Sequence, residues 1–361
     1  MDAPLFRHTP ATERAAQACM AMISRHVPSL GGGWHSPLGA LRDIATQLQS
    51  NPHTHRQVWV VHNTRQPAPP GSLVSPWPLR LSPAARASER PMLYLTQSST
   101  SAELCTLTAQ AAERGIFCND IESTPSRWPK GAHPWLPVWL ASNHRCLPYD
   151  PACSEEARAV LAGALQALYV EGQPGFCYLA LHDQPVAGLV KPADSAAAFK
   201  GMHQVQHFAA NDSRPKVHLL GAGLQLREVT AAAAYLDRYC GVHSAVWSCP
   251  SYTRLARDAA AAEHWNRLHP GAPRKIAHLH RCLPGDDVPV IAVTGYGQHI
   301  AQQIGAHLRA PFSALGADSL GPGKHLGRHW IAACALGELA RLGHIAATLA
   351  EDALALARQT H

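Results

Sequence analysis

Charge is scarce in this sequence: Asp, Glu, Lys and Arg make up 16% of 361 residues, against 46% apolar residues. That balance excludes a disordered polyelectrolyte. Lysine is scarcest, with Lys130, Lys191, Lys200, Lys216, Lys275 and Lys324 only, and the 31 basic side chains are scattered along the chain. No block forms a nucleic-acid-binding stripe, so the net charge of +6 is weak evidence for any partner and none for nucleic acid. No apolar run approaches the ~18 residues that a membrane span needs. The opening Met1-Asp2-Ala3-Pro4-Leu5-Phe6-Arg7 also lacks a basic region followed by an apolar stretch. The expectation is a soluble, cytoplasmic protein without a membrane span. The ten cysteines contain no Cys-x-x-Cys pair, which excludes the usual structural zinc spacing and leaves reduced, mostly buried thiols as the default.

Apolar residues recur at helical spacing over Thr12 to Arg25, and Pro28 with Gly31-Gly32-Gly33 ends that helix. A second helix is predicted from Pro37 to Gln49, followed by a strand, Gln57 to Val61. Residues 64–91 hold seven prolines and read as a surface loop or linker. Met92 to Thr96 reads as a strand, and Ser101 to Arg114 as a helix capped by Ser99, Thr100 or Ser101, with Gly115 closing it. A Pro- and Trp-rich stretch, Pro125 to Pro151, separates this part from the next. There a helix (Ser154 to Val170) precedes a buried strand (Phe176 to Leu181). From residue 216 the pattern is regular. Strands near 217–220, 244–248 and 288–293 alternate with helices, and further helices span Trp330 to Leu342 and Ala346 to Arg358. Such alternation predicts an α/β fold with a mainly parallel sheet.

Few motifs carry chemistry. Gly221-x-Gly223 and Gly295-x-Gly297 sit between strand and helix, where a dinucleotide fold places its phosphate loop, but Leu226 and Ile300 stand where its third glycine would be. Tight strand-to-helix turns use glycine in any case. His278, His280 and Cys282 alternate, so on a strand they would share one side and could offer three ligands to zinc; a polar edge strand is the plainer reading. His325 and His329 lack the Glu of a His-Glu-x-x-His motif. Asp318 and Ser319 read as a loop and helix-cap pair.

The run Val246-Trp247-Ser248-Cys249-Pro250-Ser251-Tyr252-Thr253-Arg254-Leu255-Ala256-Arg257-Asp258 resembles a strand-to-helix segment of the homodimeric decarboxylating component of bacterial pyruvate dehydrogenase complexes, in the transketolase-like superfamily. Glu263 to Pro270, Phe312 to Gly321 and Ala335 to Ala340 are similar to successive stretches of the same family. Tyr149-Asp150-Pro151 and Phe176 to Leu181 resemble the end of its pyrimidine-binding domain. The likeness is collinear from about 147 to 345. Before that it is faint: Gly32 to Gly39 and Val58 to His62 look like worn Gly-His turns of a diphosphate-binding domain.

The resemblance implies an α/β fold: a transketolase-like C-terminal domain (211–361), a remnant of the pyrimidine-binding domain (146–210), and a reduced diphosphate-binding-like region (1–145). The family holds thiamine diphosphate through magnesium, using the Asp and Asn of a Gly-Asp-Gly motif and its sequel, because hard cations take oxygen ligands. Here the only near match, Gly285-Asp286-Asp287, lies in the wrong domain with no following Asn. The family's cofactor-activating glutamate and histidine-rich substrate loop are also missing from the matching region.

Two readings follow. In the first, thiamine chemistry has been lost, no cofactor is expected, and the chain is a structural, assembly or regulatory pseudoenzyme. It would then act as a homodimer or as a subunit of a 2-oxo acid dehydrogenase-like assembly. In the alternative, it is a thiamine-diphosphate- and Mg-dependent 2-oxo acid dehydrogenase or transketolase-type enzyme completed by a partner subunit. A weaker third reading is a repurposed enzyme using His35 and His62, although a lone His beside a glycine turn is more often a solvated or capping side chain.

Overall fold

In a computed structural model, residues 5–25, 36–65, 68, 72–186, 195–208, 213–285, 287–320 and 326–359 are described. The chain divides into two units, 1–187 and 188–361.

Helix α1 (Pro10–Arg25) opens unit 1 and buries Ala15, Cys19 and Ile23, one turn apart on a single face. In α2 (Pro37–Ser50) the Ser36 side chain caps the Gly39 amide at 2.9 Å, and Leu38, Leu41, Ile44, Ala45 and Leu48 form the buried stripe. Each buried Leu or Ile on such a stripe contributes roughly 1.5–3 kcal/mol relative to exposure. Strands β1 (Trp59–Asn63), β2 (Met92–Thr96), β3 (Gly115–Asp120), β4 (Cys146–Tyr149) and β5 (Phe176–Leu181) form one parallel sheet, ordered β1-β2-β3-β5-β4. β2, β3 and β5 are buried along their whole length, as a sheet covered on both faces requires.

The proline-rich segment is not an empty loop: it forms α3 (Trp77–Leu81) and α4 (Pro83–Ala87), short helices started by proline, with Leu79 and Ala85 buried. Thr100 and Glu103 make a reciprocal capping box at α5 (Ser101–Gln110). This helix stops short of the expected Arg114, because Ala112 and Glu113 turn left-handed (φ 55° and 53°) to enter β3. The expected separator 125–151 contains α6 (Trp135–Ser142) and β4. α7 (Ser154–Leu165) continues into a π-helical turn, Gln166–Val170. The successive crossovers from β1 to β4 step one way across the sheet, so right-handedness puts α3 to α6 on one face. α7 steps back and packs with α1 and α2 on the other. One sheet therefore runs through both segments expected to be separate domains. The boundary at 145/146 lies inside unit 1, and the chain divides at 187/188 rather than 210/211.

In unit 2, α8 (Ser195–Lys200) precedes the edge strand β6 (His203–Gln206), which is antiparallel to its neighbour. The expected alternation follows as β7 (Lys216–Gly221), α9 (Gln225–Cys240), β8 (His243–Ser248), α10 (Tyr252–Leu268), α11 (His278–Cys282) and β9 (Val290–Val293). α12 (His299–Gln302), β10 (Phe312–Leu315), α13 (Arg328–Arg341) and α14 (Ala347–Gln359) complete the unit. The predicted helix 298–308 is reduced to α12 and a 3-10 turn, and Gly305 in that turn packs so close to Phe312 that a Cβ would lie 2.7 Å from its ring. The sheet order is β10-β9-β7-β8-β6. From β7 the chain crosses to β8 on one side, and from β9 to β10 on the other. The strand order therefore reverses between the carboxyl ends of β7 and β9.

Candidate functional site

Open α/β sheets bind ligands outside the carboxyl ends of their strands. In unit 1 that edge carries a buried polar network. The Asn119 side chain accepts from the Ser98 amide at 2.8 Å and donates to the Ser98 carbonyl (2.8 Å) and the Tyr178 hydroxyl (2.9 Å). Asp120 Oδ2 accepts from Arg42 at 3.0 Å and from Gln97 at 2.8 Å. Nearby, the Lys130 ammonium is buried between Glu122 and Asp150, 2.9 Å from the latter's Oδ1. Lys130 reaches it from a left-handed backbone (φ 55°). The next residue must be glycine, since a Cβ on Gly131 would lie 1.9 Å from the Ile121 carbonyl oxygen.

Burial works against the charge on Lys130, but the two carboxylates outweigh it and raise its pKa. For Asp150 burial dominates and pushes the carboxyl above its ordinary range, against the pull of Lys130. Glu156 accepts from the Ala152 amide at 2.8 Å. Fully buried His182 is pushed down to about 4 by burial and by the positive Lys130, so it is neutral at pH 7.

In unit 2 the two Gly-x-Gly turns flank the reversal point, and close internal packing accounts for Gly221. A Cβ on Gly221 would meet Leu226 Cα at 2.9 Å and Val229 Cγ2 at 3.0 Å. At the second turn the Asp318 carboxylate accepts from the Gln298 amide at 2.7 Å, and Gly316 packs so close that a Cβ would lie 2.2 Å from that nitrogen. Tyr252 donates to the Val293 carbonyl at 3.0 Å and accepts from the Val293 amide at 3.2 Å. A carboxylate of the chain itself thus occupies the amide that a phosphate would need.

His62, near the end of β1, lies 3.1 Å from Gln49 Oε1, and burial lowers its pKa. His35 and His325 lie outside the described residues, as do Gly32 to Trp34 and Asp286. The expected strand of His278, His280 and Cys282 is instead the helix α11, anchored by buried Leu279. On a helix only positions i and i+4 share a face, so no ligand trio forms. His278 Nε2 bonds the Met202 carbonyl and His280 Nε2 the His307 carbonyl, both at 2.8 Å. Cys282 Sγ lies 3.5 Å from His278 Nε2, and burial pushes its thiol up to about 11, well away from a reactive thiolate.

Magnesium holding a diphosphate demands hard oxygen ligands. Asn119, Asp120, Glu122, Asp150, Glu156 and Asp318 each have an oxygen held by a donor of the chain itself, while Asp120 Oδ1 and Asp150 Oδ2 are buried without a hydrogen-bond partner. Among the described residues no three His, Cys, Asp or Glu side chains are placed to hold a metal. Reading by motif missed Asn119, Asp120, Lys130 and His182, although Asn119-Asp120 directly follows the apolar run Ile116-Phe117-Cys118.

Comparison with known proteins agrees with this architecture. Residues 201–326 match the family model described as the transketolase-like TK C-terminal domain. The pyruvate dehydrogenase E1 component of Cupriavidus necator is 34% identical over 218 residues, 58% of this chain and 24% of the relative. That of Escherichia coli K12 is 31% identical over 222 residues, 58% of this chain and 25% of the relative. Among solved structures, transketolase from Campylobacter jejuni has a TM-score of 0.54 at 13% identity, covering 96% of this chain and 51% of the other. A split-gene transketolase described as an inactive beta4 tetramer also reaches 0.54 at 12% identity, covering 85% of this chain and 99% of the other.

The chain is a transketolase-like α/β protein. Within that class it is pyruvate dehydrogenase E1-like, and it spans about a quarter of the length of the curated relatives it matches. Among the described residues no helix is long and apolar enough to cross a membrane.

Proposed function

We propose that this chain is a pyruvate dehydrogenase E1-like polypeptide that carries out no thiamine chemistry by itself and serves as a structural, assembly or regulatory component, as a homodimer or within a 2-oxo acid dehydrogenase-like complex. In this reading unit 1 is the reduced remnant of the cofactor-binding domains and unit 2 the transketolase-like C-terminal domain. The observation that supports it is that acidic groups at both carboxyl edges are held by the chain itself: Lys130 pairs with Glu122 and Asp150, and Asp318 accepts from the Gln298 amide. The Lys130 pairs are buried, so Glu122 and Asp150 would have to break buried contacts before engaging a metal–diphosphate.

A second reading, a thiamine-dependent 2-oxo acid dehydrogenase or transketolase-type enzyme completed by another subunit, is favoured by one comparison. The chain covers 99% of a split-gene transketolase polypeptide that is itself described as inactive. Titration calorimetry with thiamine diphosphate and magnesium separates the readings. No heat of binding is expected from the chain alone, and micromolar, magnesium-dependent binding by the chain alone overturns the first proposal. Binding that appears only with a copurified second polypeptide supports the completed-enzyme reading instead.

A further inference from the structure

Residues 264–285 contain no Asp or Glu, yet carry Arg267, Arg274, Lys275, Arg281 and four histidines. The fold of unit 2 gathers part of this run around one recess. Asn266 at the end of α10 accepts from the Lys275 amide at 2.8 Å and donates to the Lys275 carbonyl at 2.9 Å, clasping the helix end to the loop that follows it. Beside the clasp lies a cavity of about 470 Å³ whose lining includes Glu263, Asn266, Arg267, His269, Pro270 and Arg274. Glu263, the acidic member, is held by His307 Nδ1 at 2.8 Å. Arg281 is tied to the Ile276 carbonyl at 2.8 Å, which fixes the far limb of the loop. On the two clasped limbs, Leu268 and Ile276 are exposed by 62% and 56%.

We propose that this recess is a docking surface for an acidic segment of a partner protein that also carries aliphatic side chains. Charge complementarity sets the sign: Arg267, Arg274 and Lys275 face solvent in a stretch with no acidic residue of its own. The exposed aliphatics set the class, because Leu268 and Ile276 offer apolar contact that a phosphate backbone does not use. A single-stranded nucleic acid would need an open aromatic face on which to stack bases. The Trp265 ring already stacks with His269 at 4.5 Å and carries the Lys275 ammonium 4.5 Å from its centroid. The exposed position of both arginines suits several carboxylates spread along a segment better than one enclosed small anion. The Asn266 clasp fixes the loop before anything binds, which lowers the entropy lost on association.

The test uses the full chain and a fluorescein-labelled peptide of glutamates interrupted by two leucines, followed by anisotropy. Saturable, salt-sensitive binding is expected, weakened at least ~10-fold by the double substitution Arg267→Glu/Arg274→Glu, since like charges then face each other. Leu268→Ser/Ile276→Ser should weaken it by about 3-fold or more, as should removal of the peptide's leucines. All four positions are exposed, and circular dichroism melts of both variants should overlay the parent. The proposal is overturned by the absence of saturable binding, or by equal binding to the charge-reversed variant. Affinity for an all-glutamate peptide or for oligothymidylate equal to that for the leucine-containing peptide overturns it as well.

Discussion

Lowering the pH should loosen unit 2 through His218. Its Nδ1 accepts a hydrogen bond from Trp247 Nε1 at 3.2 Å, which requires that nitrogen to be unprotonated. The ring is 8% exposed and packs against Phe208 at 5.0 Å, with the Lys216 ammonium over that same Phe208 ring and His243 against its edge. A proton on His218 would break the bond to Trp247 and place a second positive charge near Lys216. Burial accordingly lowers its pKa to about 4, from 6.5 in the unfolded chain. The depressed value means that the unfolded state takes up the proton first. The contribution is therefore complete above about pH 6.5 and lost as pH falls toward 4, amounting to about 3 kcal/mol at ~1.4 kcal/mol per pH unit. Hydrogen exchange of β7 and β8 amides between pH 7 and 4.5 should show falling protection in the parent. His218→Gln retains a neutral acceptor for Trp247 and should lose most of that slope, whatever its stability at pH 7. An imidazole titrating near 6.5 in the folded protein, or an unchanged slope in the variant, refutes the reasoning.

In unit 1, Lys130→Met leaves Glu122 and Asp150 buried without their cation and should cost about 3–5 kcal/mol in urea denaturation. Adding Asp150→Asn should recover part of that loss; a Lys130→Met protein as stable as the parent would show that the buried pair matters little. Two glycines in unit 2 should respond in opposite directions. Gly316→Ala drives a methyl to within 2.2 Å of the Gln298 nitrogen and should lose about 2 kcal/mol or more. Gly337→Ala places a methyl in open space inside α13 and should gain about 0.5–1 kcal/mol. Thermal melts of the two variants check both signs.

Much of the fold was legible in local patterns. β2 coincides with the apolar run Met92 to Thr96, and the 217–293 alternation corresponds to β7, α9, β8, α10 and β9. Periodicity reports such elements because each buries a face of fixed spacing. It failed at β3, where Gly115 read as the stop of a helix while also starting a strand, and in 64–91, where proline density hid two proline-initiated helices. It failed again at α11, where a helix one turn long can carry the same His-x-His-x-Cys spacing as a strand. The site was less legible still. Lys130, Asp150 and His182 are far apart in sequence and meet only because β3, β4 and β5 share one sheet. Arg267 and Arg274, two of the basic residues that looked scattered, line one recess beside the Asn266 clasp.

The sequence by itself determined the α/β class, the strand–helix rhythm of unit 2 and the kinship of that unit, because these reside in contiguous runs of side chains. Only the tertiary structure decided that residues 59–181 share one sheet, that the glycine turns are closed by Asp318 and tight packing, and that His218 is buried neutral. Such properties depend on which atoms from distant segments approach within hydrogen-bonding or van der Waals distance, and spacing along the chain carries no record of that.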